Sequence, residues 1–83
     1  MKLILYGKGC VMYNELLKLI IRLIKKQEFN HLELEEVTSV KRIANDGVYL
    51  LPTLRFGGKN LITGTVPNYE SLENIVRSEL NKI

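Results

Sequence analysis

The pattern of apolar and polar residues along the chain predicts four short strands. A continuous apolar run at residues 3–6, followed by a glycine, is typical of a central strand covered on both faces. Leucine and glutamate alternate over residues 32–35, which predicts an edge strand with one face in water. Residues 53–56 and 61–63 are β-compatible runs on either side of Gly57-Gly58-Lys59-Asn60, and this glycine-containing stretch permits a tight hairpin.

Three other segments carry apolar residues at helical spacing. Residues 10–27 are rich in Leu, Ile, Lys and Glu and place apolar side chains on a broad arc, which predicts the longest helix. A two-turn helix follows Thr38 or Ser39, either of which can cap it, and stops at residues 45–47, Asn-Asp-Gly. The last helix begins at Pro67-Asn68, where the asparagine can cap. Its apolar face comprises Tyr69, Leu72, Ile75, Val76 and Leu80.

The resulting order, β-α-β-α-β-β-α, limits the possible topologies. The first β-α-β unit needs a right-handed crossover between parallel strands, and the hairpin then completes the same sheet beside the first strand. This predicts an α/β fold with a four-stranded mixed sheet and helices on both faces. A length of 83 residues fits one domain, residues 1–83.

Composition and charge narrow the classes of function. The net charge of +3 is spread along the chain without an aromatic and basic run, so no nucleic-acid binding is predicted. The apolar run after Lys2 is too short for a signal peptide, and Lys18 and Arg22 interrupt the longest apolar stretch, residues 16–24. We therefore expect a cytoplasmic protein without a membrane segment, whose thiol stays reduced.

Cys10 is the single cysteine, and it stands where the long helix begins. One cysteine and the lone His31 give neither a disulfide framework nor a metal site within one chain, and no cofactor is predicted. Amides and the dipole at a helix N-terminus favour a thiolate, and Lys8 adds positive charge nearby. The alternative is that Cys10 is only a small apolar residue. Tyr13, one turn later, either donates a hydrogen bond to the thiolate or packs as an aromatic residue on the helix start.

These features resemble a known family. A strand, the loop Gly7-Lys8-Gly9 and a cysteine that opens a long helix are similar to the redox site of small thioredoxin-like and glutaredoxin-like proteins. The second half agrees, because Leu51-Pro52-Thr53 leads into a strand and a glycine turn. The resemblance implies a thioredoxin-like fold, a nucleophilic Cys10, and a cis Pro52 beside which the backbone of Leu51 binds an extended substrate chain. The alternative is a trans proline that opens the third strand, which the residues alone also permit.

The chain departs from this family at the position of the second cysteine. Where the family has Cys-x-x-Cys, residues 10–13 read Cys-Val-Met-Tyr, so the thiol that releases a mixed disulfide within one chain is replaced by Tyr13. The Cys-Gly-Phe-Ser motif of monothiol glutaredoxins is not present either.

Three hypotheses remain open. The first is a monomeric monothiol protein that exchanges disulfides with a protein or low-molecular-weight thiol partner, with Cys10 and Tyr13 as catalytic residues, Lys8 tuning the thiol, and Leu51 and Pro52 binding the partner. The second is a noncatalytic binding module of the same fold. The third is a dimer that shares a metal or iron–sulfur cluster through two Cys10 thiolates and external thiols.

Overall fold

The computed structural model describes all 83 residues, and its elements follow the predicted order. Strands and helices are bounded as follows: β1 Lys2–Tyr6, α1 Val11–Ile24, β2 Glu33–Val37, α2 Val40–Asn45, β3 Thr53–Phe56, β4 Lys59–Thr63 and α3 Tyr69–Leu80. The longest helix, α1, has 14 residues, and none of the helices combines the length and the apolar character needed to traverse a membrane.

The predicted sheet is confirmed, with the strand order β2-β1-β3-β4. β1 pairs with β2 in parallel and with β3 antiparallel, and β3 pairs with β4 antiparallel. The sheet therefore has β2 and β4 at its edges, and the hairpin lies beside β1 as the element order requires.

Some boundaries differ from the predicted ones. α1 ends at Ile24 instead of continuing to residue 27, and a 3₁₀ helix, Gln27–Phe29, follows it. Phe29 is fully buried, and leaving the α-helix lets the chain turn its ring into the core. β2 continues to Val37, which pairs with Tyr6 and is buried, so burial extends this strand past its alternating segment.

The β3–β4 hairpin is tighter than the four-residue linker suggests. Its turn consists of Gly57 and Gly58, whose φ angles of 58° and 78° match a two-residue turn of the kind that glycine favours. β4 therefore begins at Lys59 instead of residue 61. A register shift between Leu54 and Arg55 accommodates the extra residue in β4.

The two faces of the sheet are packed differently. α1 and α3 cover one face, where the larger part of the core lies, whereas the short α2 covers a small cluster on the other face. On that second face, Tyr6 donates a hydrogen bond to Asp46 at 2.8 Å and accepts one from Arg55 at 3.3 Å. The larger core comprises Leu3, Leu5, Tyr13, Leu16, Ile20, Leu23, Phe29, Leu32, Leu54, Phe56, Ile62, Leu72 and Val76.

Two loops meet at one end of the sheet, where β1 and β2 end and β3 begins. Tyr6, the last residue of β1, pairs with Val37 at the end of β2 and with Thr53 at the start of β3. The loop that leads to Cys10 leaves from the first of these strands, and the loop that contains Pro52 enters the third. The fold therefore places both segments at the same end of the sheet.

Candidate functional site

Cys10 caps the N-terminus of α1. Its backbone is extended, with φ −84° and ψ 171°, and its Sγ accepts a hydrogen bond from the backbone N–H of Tyr13 at 3.5 Å. The carbonyl of Cys10 accepts the N–H of Asn14 at 3.0 Å, which is the first bond of the helix. The thiol is exposed. A sulfur at this place is both accessible to a partner and aimed at the positive end of the helix dipole.

Tyr13 is buried, with 4% of its surface exposed, and it belongs to the larger core. Its hydroxyl donates a hydrogen bond to the carboxylate of Glu36, and its link to Cys10 is made by its backbone N–H. The hydrogen bond from the Tyr13 hydroxyl to the thiol is therefore not formed, and the aromatic packing interpretation describes this side chain. Burial, and then the bond to Glu36, raise the pKa of Tyr13 well above its usual value.

Gly7 lies directly against the Tyr13 ring. A Cβ atom at position 7 would come within 2.5 Å of Tyr13 Cδ2, so only glycine fits there without movement of the ring. The N–H of Gly7 donates to the carbonyl of Val37 at 3.1 Å. The end of β2 thus holds the loop before Cys10 through the backbone, and Tyr13, three residues after Cys10, through Glu36.

Lys8 contributes through its backbone in the structure. Its carbonyl accepts the N–H of Cys10 at 2.5 Å, and the residue is exposed. This contact places the lysine in the turn that presents the thiol. A tuning role for the Lys8 ammonium remains a prediction.

Leu51 and Pro52 form the second part of the candidate site. The peptide bond between them is cis, Pro52 is buried and Leu51 is 42% exposed. The carbonyl of Pro52 accepts the N–H of Gly64 at 2.8 Å, and the hydroxyl of Thr53 donates to the carbonyl of Leu50 at 2.6 Å. Two hydrogen bonds therefore fix the backbone on both sides of the cis bond.

Exposed apolar residues precede Pro52. Tyr49 is 91% exposed and Leu50 is 60% exposed, and together with Leu51 they form what we call the Tyr49–Leu51 segment. Val11 and Met12, which follow Cys10, are also exposed. Exposed apolar side chains, here on the first turn of α1 and on the Pro52 loop, are a feature of surfaces that contact other molecules.

Glu36 was missed by the sequence analysis. Glu36 stands in a run of glutamates, a pattern typical of solvated charge, and the residue is exposed. Its neighbour Glu35 forms a surface ion pair with Lys2 at 3.2 Å. Parallel pairing, however, puts Glu36 beside Leu5 at the end of the sheet from which the Cys10 loop leaves. The only available signal was this place near the carboxyl end of the strand.

Two surface grooves lie away from this site. One, of about 670 Å³, is formed by the start of β1, the hairpin turn and the end of α3, and the other, of about 480 Å³, lies between α1 and the segment before α3. Neither is lined by Cys10 or Pro52, so the candidate site lies outside both grooves. No three His, Cys, Asp or Glu side chains are grouped closely enough to hold a metal ion.

These features define a thioredoxin-like protein. The mixed four-stranded sheet is flanked by helices, a cysteine caps the first helix, and a proline loop lies at the same end of the sheet. The family model of the thioredoxin domain matches residues 1–77. The chain therefore belongs to the thioredoxin domain family, and this supports a general thioredoxin-fold or redox role. Comparisons with curated proteins and with solved structures give no match.

Proposed function

We propose that the protein carries out thiol–disulfide exchange with a single thiol, Cys10. The observation that carries this proposal is the place of Cys10 itself: an exposed sulfur at the N-cap of α1 that accepts the N–H of Tyr13. The same sulfur lies at the end of the sheet where the Pro52 loop leads into β3. Both features suit a nucleophile that meets its partner at the surface.

The exchange is balanced by two successive displacements. The Cys10 thiolate attacks one sulfur of a partner disulfide, forms a mixed disulfide and releases the other sulfur as a thiolate. A second thiolate, supplied by a protein or a low-molecular-weight thiol, then attacks the partner sulfur of the mixed disulfide, forms a new disulfide with it and releases Cys10 as a thiolate. The outside thiol does the work that a second cysteine does in the Cys-x-x-Cys proteins, since Tyr13 has no thiol to offer.

The partner chain is proposed to lie along the Leu51–Pro52 loop. The hydrogen bonds at Thr53 and Gly64 hold this loop in one conformation, and Leu51 retains exposed surface. An ordered backbone next to exposed apolar side chains suits an extended segment that binds through both. We further propose that the protein acts as a cytoplasmic monomer without a resident cofactor.

The reaction of Cys10 with a small aromatic disulfide tests this proposal. We expect the folded protein to release one coloured thiolate per chain at a rate about tenfold above that of the same chain unfolded in denaturant, when both rates are corrected for the effect of the denaturant on a free thiol. Cys10→Ser is the blank. A folded rate equal to or below the unfolded rate would contradict an activated nucleophile.

The second candidate function is a noncatalytic binding module of the same fold. It is favoured by the burial of Tyr13 at the position of the missing cysteine, together with the exposure of the Tyr49–Leu51 segment. A module of this kind binds its partner equally well with and without the thiol. Binding that survives Cys10→Ser but is lost in Tyr49→Ser would favour the module over the monothiol enzyme.

A further inference from the structure

The end of β2 is bonded to both sides of the turn that carries Cys10. On the near side, the N–H of Gly7 donates to the carbonyl of Val37 at 3.1 Å. On the far side, the Tyr13 hydroxyl donates to the carboxylate of Glu36. Cys10 lies between these two bonds, so two adjacent residues of one edge strand bracket the loop that presents the thiol.

The Tyr13 ring connects the two sides of this bracket. It packs so closely on Gly7 that a Cβ at that position would lie 2.5 Å from Cδ2 and 3.2 Å from Cε2. The ring also belongs to the core, and the backbone N–H of the same residue points at Cys10 Sγ. The ring that packs on Gly7 and the N–H that the sulfur accepts therefore belong to the same residue.

We propose that Glu36 is a positioning residue for Cys10 and that it acts through Tyr13. The carboxylate holds the hydroxyl, the hydroxyl fixes the ring against Gly7, and the ring sets the first turn of α1 under the sulfur. We call the Tyr13 side chain together with its bond to Glu36 the strut. This inference rests on the proposed exchange chemistry for its kinetic consequence, and on the hydrogen bonds alone for its structural one.

A double-mutant cycle tests the coupling between the two residues. Tyr13→Phe removes only the hydroxyl, and Glu36→Ala removes only its acceptor. We expect each to slow the reaction of Cys10 with a small aromatic disulfide by about threefold to tenfold, the range that one lost hydrogen bond implies. The double variant is expected to be no slower than either single variant, because both remove the same interaction.

Two further variants separate positioning from other effects. Glu36→Gln keeps an oxygen acceptor without the charge, so the positioning role predicts a rate close to that of the original protein. Glu33→Ala removes an exposed carboxylate from the same strand and is expected to leave the rate unchanged. A faster reaction in Glu36→Gln, single-variant effects that multiply in the double variant, or no effect of Tyr13→Phe would each overturn the proposal.

Amide hydrogen exchange distinguishes this proposal from the proposed function. Loss of the strut should increase the exchange of the Tyr13 and Asn14 amides, which bond to Cys10, while amides in the middle of β1 remain protected. If the thiol proves no more reactive in the folded chain than in the unfolded one, the exchange chemistry fails, but increased exchange in these variants would still support the strut. Unchanged amide exchange in both single variants would overturn the strut itself.

Discussion

The two loops of the candidate site are held by different kinds of contact. The Pro52 loop is fixed by two hydrogen bonds that involve backbone groups close to it, at Leu50 and Gly64. The Cys10 loop is also bonded through its backbone, at Gly7, but in addition a buried ring and a side-chain bond join it to Glu36, 23 residues farther along the chain from Tyr13. Substitutions should therefore affect the two loops differently.

The largest expected effect comes from filling the space under the Tyr13 ring. Gly7→Ala should destabilise the fold by about 3 kcal/mol, because its Cβ would lie 2.5 Å from a ring that the core holds in place. Chemical denaturation measures the loss in the free energy of unfolding. Gly9→Ala is the matched control, since a Cβ there meets nothing within 4 Å. Equal stability of the two variants would mean that the ring moves freely.

Restoration of the second cysteine probes the same region by chemistry. Tyr13→Cys should cost about 2–3 kcal/mol in its reduced form, since a buried aromatic side chain is lost. Under oxidising conditions it should form a disulfide with Cys10 within one chain, because position 13 lies one turn from the sulfur. Alkylation followed by mass analysis counts the remaining thiols, and Tyr13→Ser supplies the same cavity without the thiol. Oxidation only between chains would show that the Cys10 turn cannot close on residue 13.

High pH should weaken the fold through the buried tyrosines. The folded pKa of Tyr13 is raised above its value of about 10 in an unfolded chain. Its contribution is therefore complete below pH 10 and is lost as the pH rises from there towards the folded pKa, at about 1.4 kcal/mol per pH unit.

Tyr13→Phe isolates the contribution of Tyr13 to this pH dependence. Its free energy of unfolding should fall less steeply above pH 10 than that of the original protein, and urea denaturation at several pH values gives both slopes. The remaining slope includes Tyr6, whose pKa is raised by burial and by its bond to Asp46. Identical slopes in the two proteins would contradict a Tyr13 that stays neutral in the fold.

Local sequence signals predicted most of the fold. Of the two residues predicted to cap the second helix, Ser39 does so, and Asn68 caps the last helix as predicted. Their side chains accept the N–H of Arg42 at 3.3 Å and of Ser71 at 2.8 Å. Helix periodicity and strand alternation gave the order of the elements and, with the rule for parallel crossovers, the arrangement of the strands. These features depend on residues that are neighbours in sequence, and for that reason a single sequence reveals them.

The contacts missed by the sequence analysis join distant residues. The bond between Tyr13 and Glu36 depends on the register of β2 against β1, which no short segment encodes. The end of α1 likewise depends on the burial of Phe29 beyond it. Cys10 was identified from its local context, whereas the contact of Tyr13 with Glu36 follows only from the pairing of β2 with β1.

The Pro52 loop should respond to a smaller change in a single local bond. Thr53 is fully buried, and its hydroxyl donates to the carbonyl of Leu50 at 2.6 Å, so Thr53→Val should cost about 1 kcal/mol while nearly preserving the shape of the side chain. Thr53→Ser keeps the hydroxyl and separates its loss from that of the methyl group. Because this bond does not involve the Cys10 loop, the rate of Cys10 with a small disulfide should not change, whereas binding of a peptide disulfide to the Tyr49–Leu51 segment should weaken. An equal slowing of the reaction with both reagents would mean that the two loops are coupled. The Pro52 loop and the Cys10 loop would then not be held independently of each other.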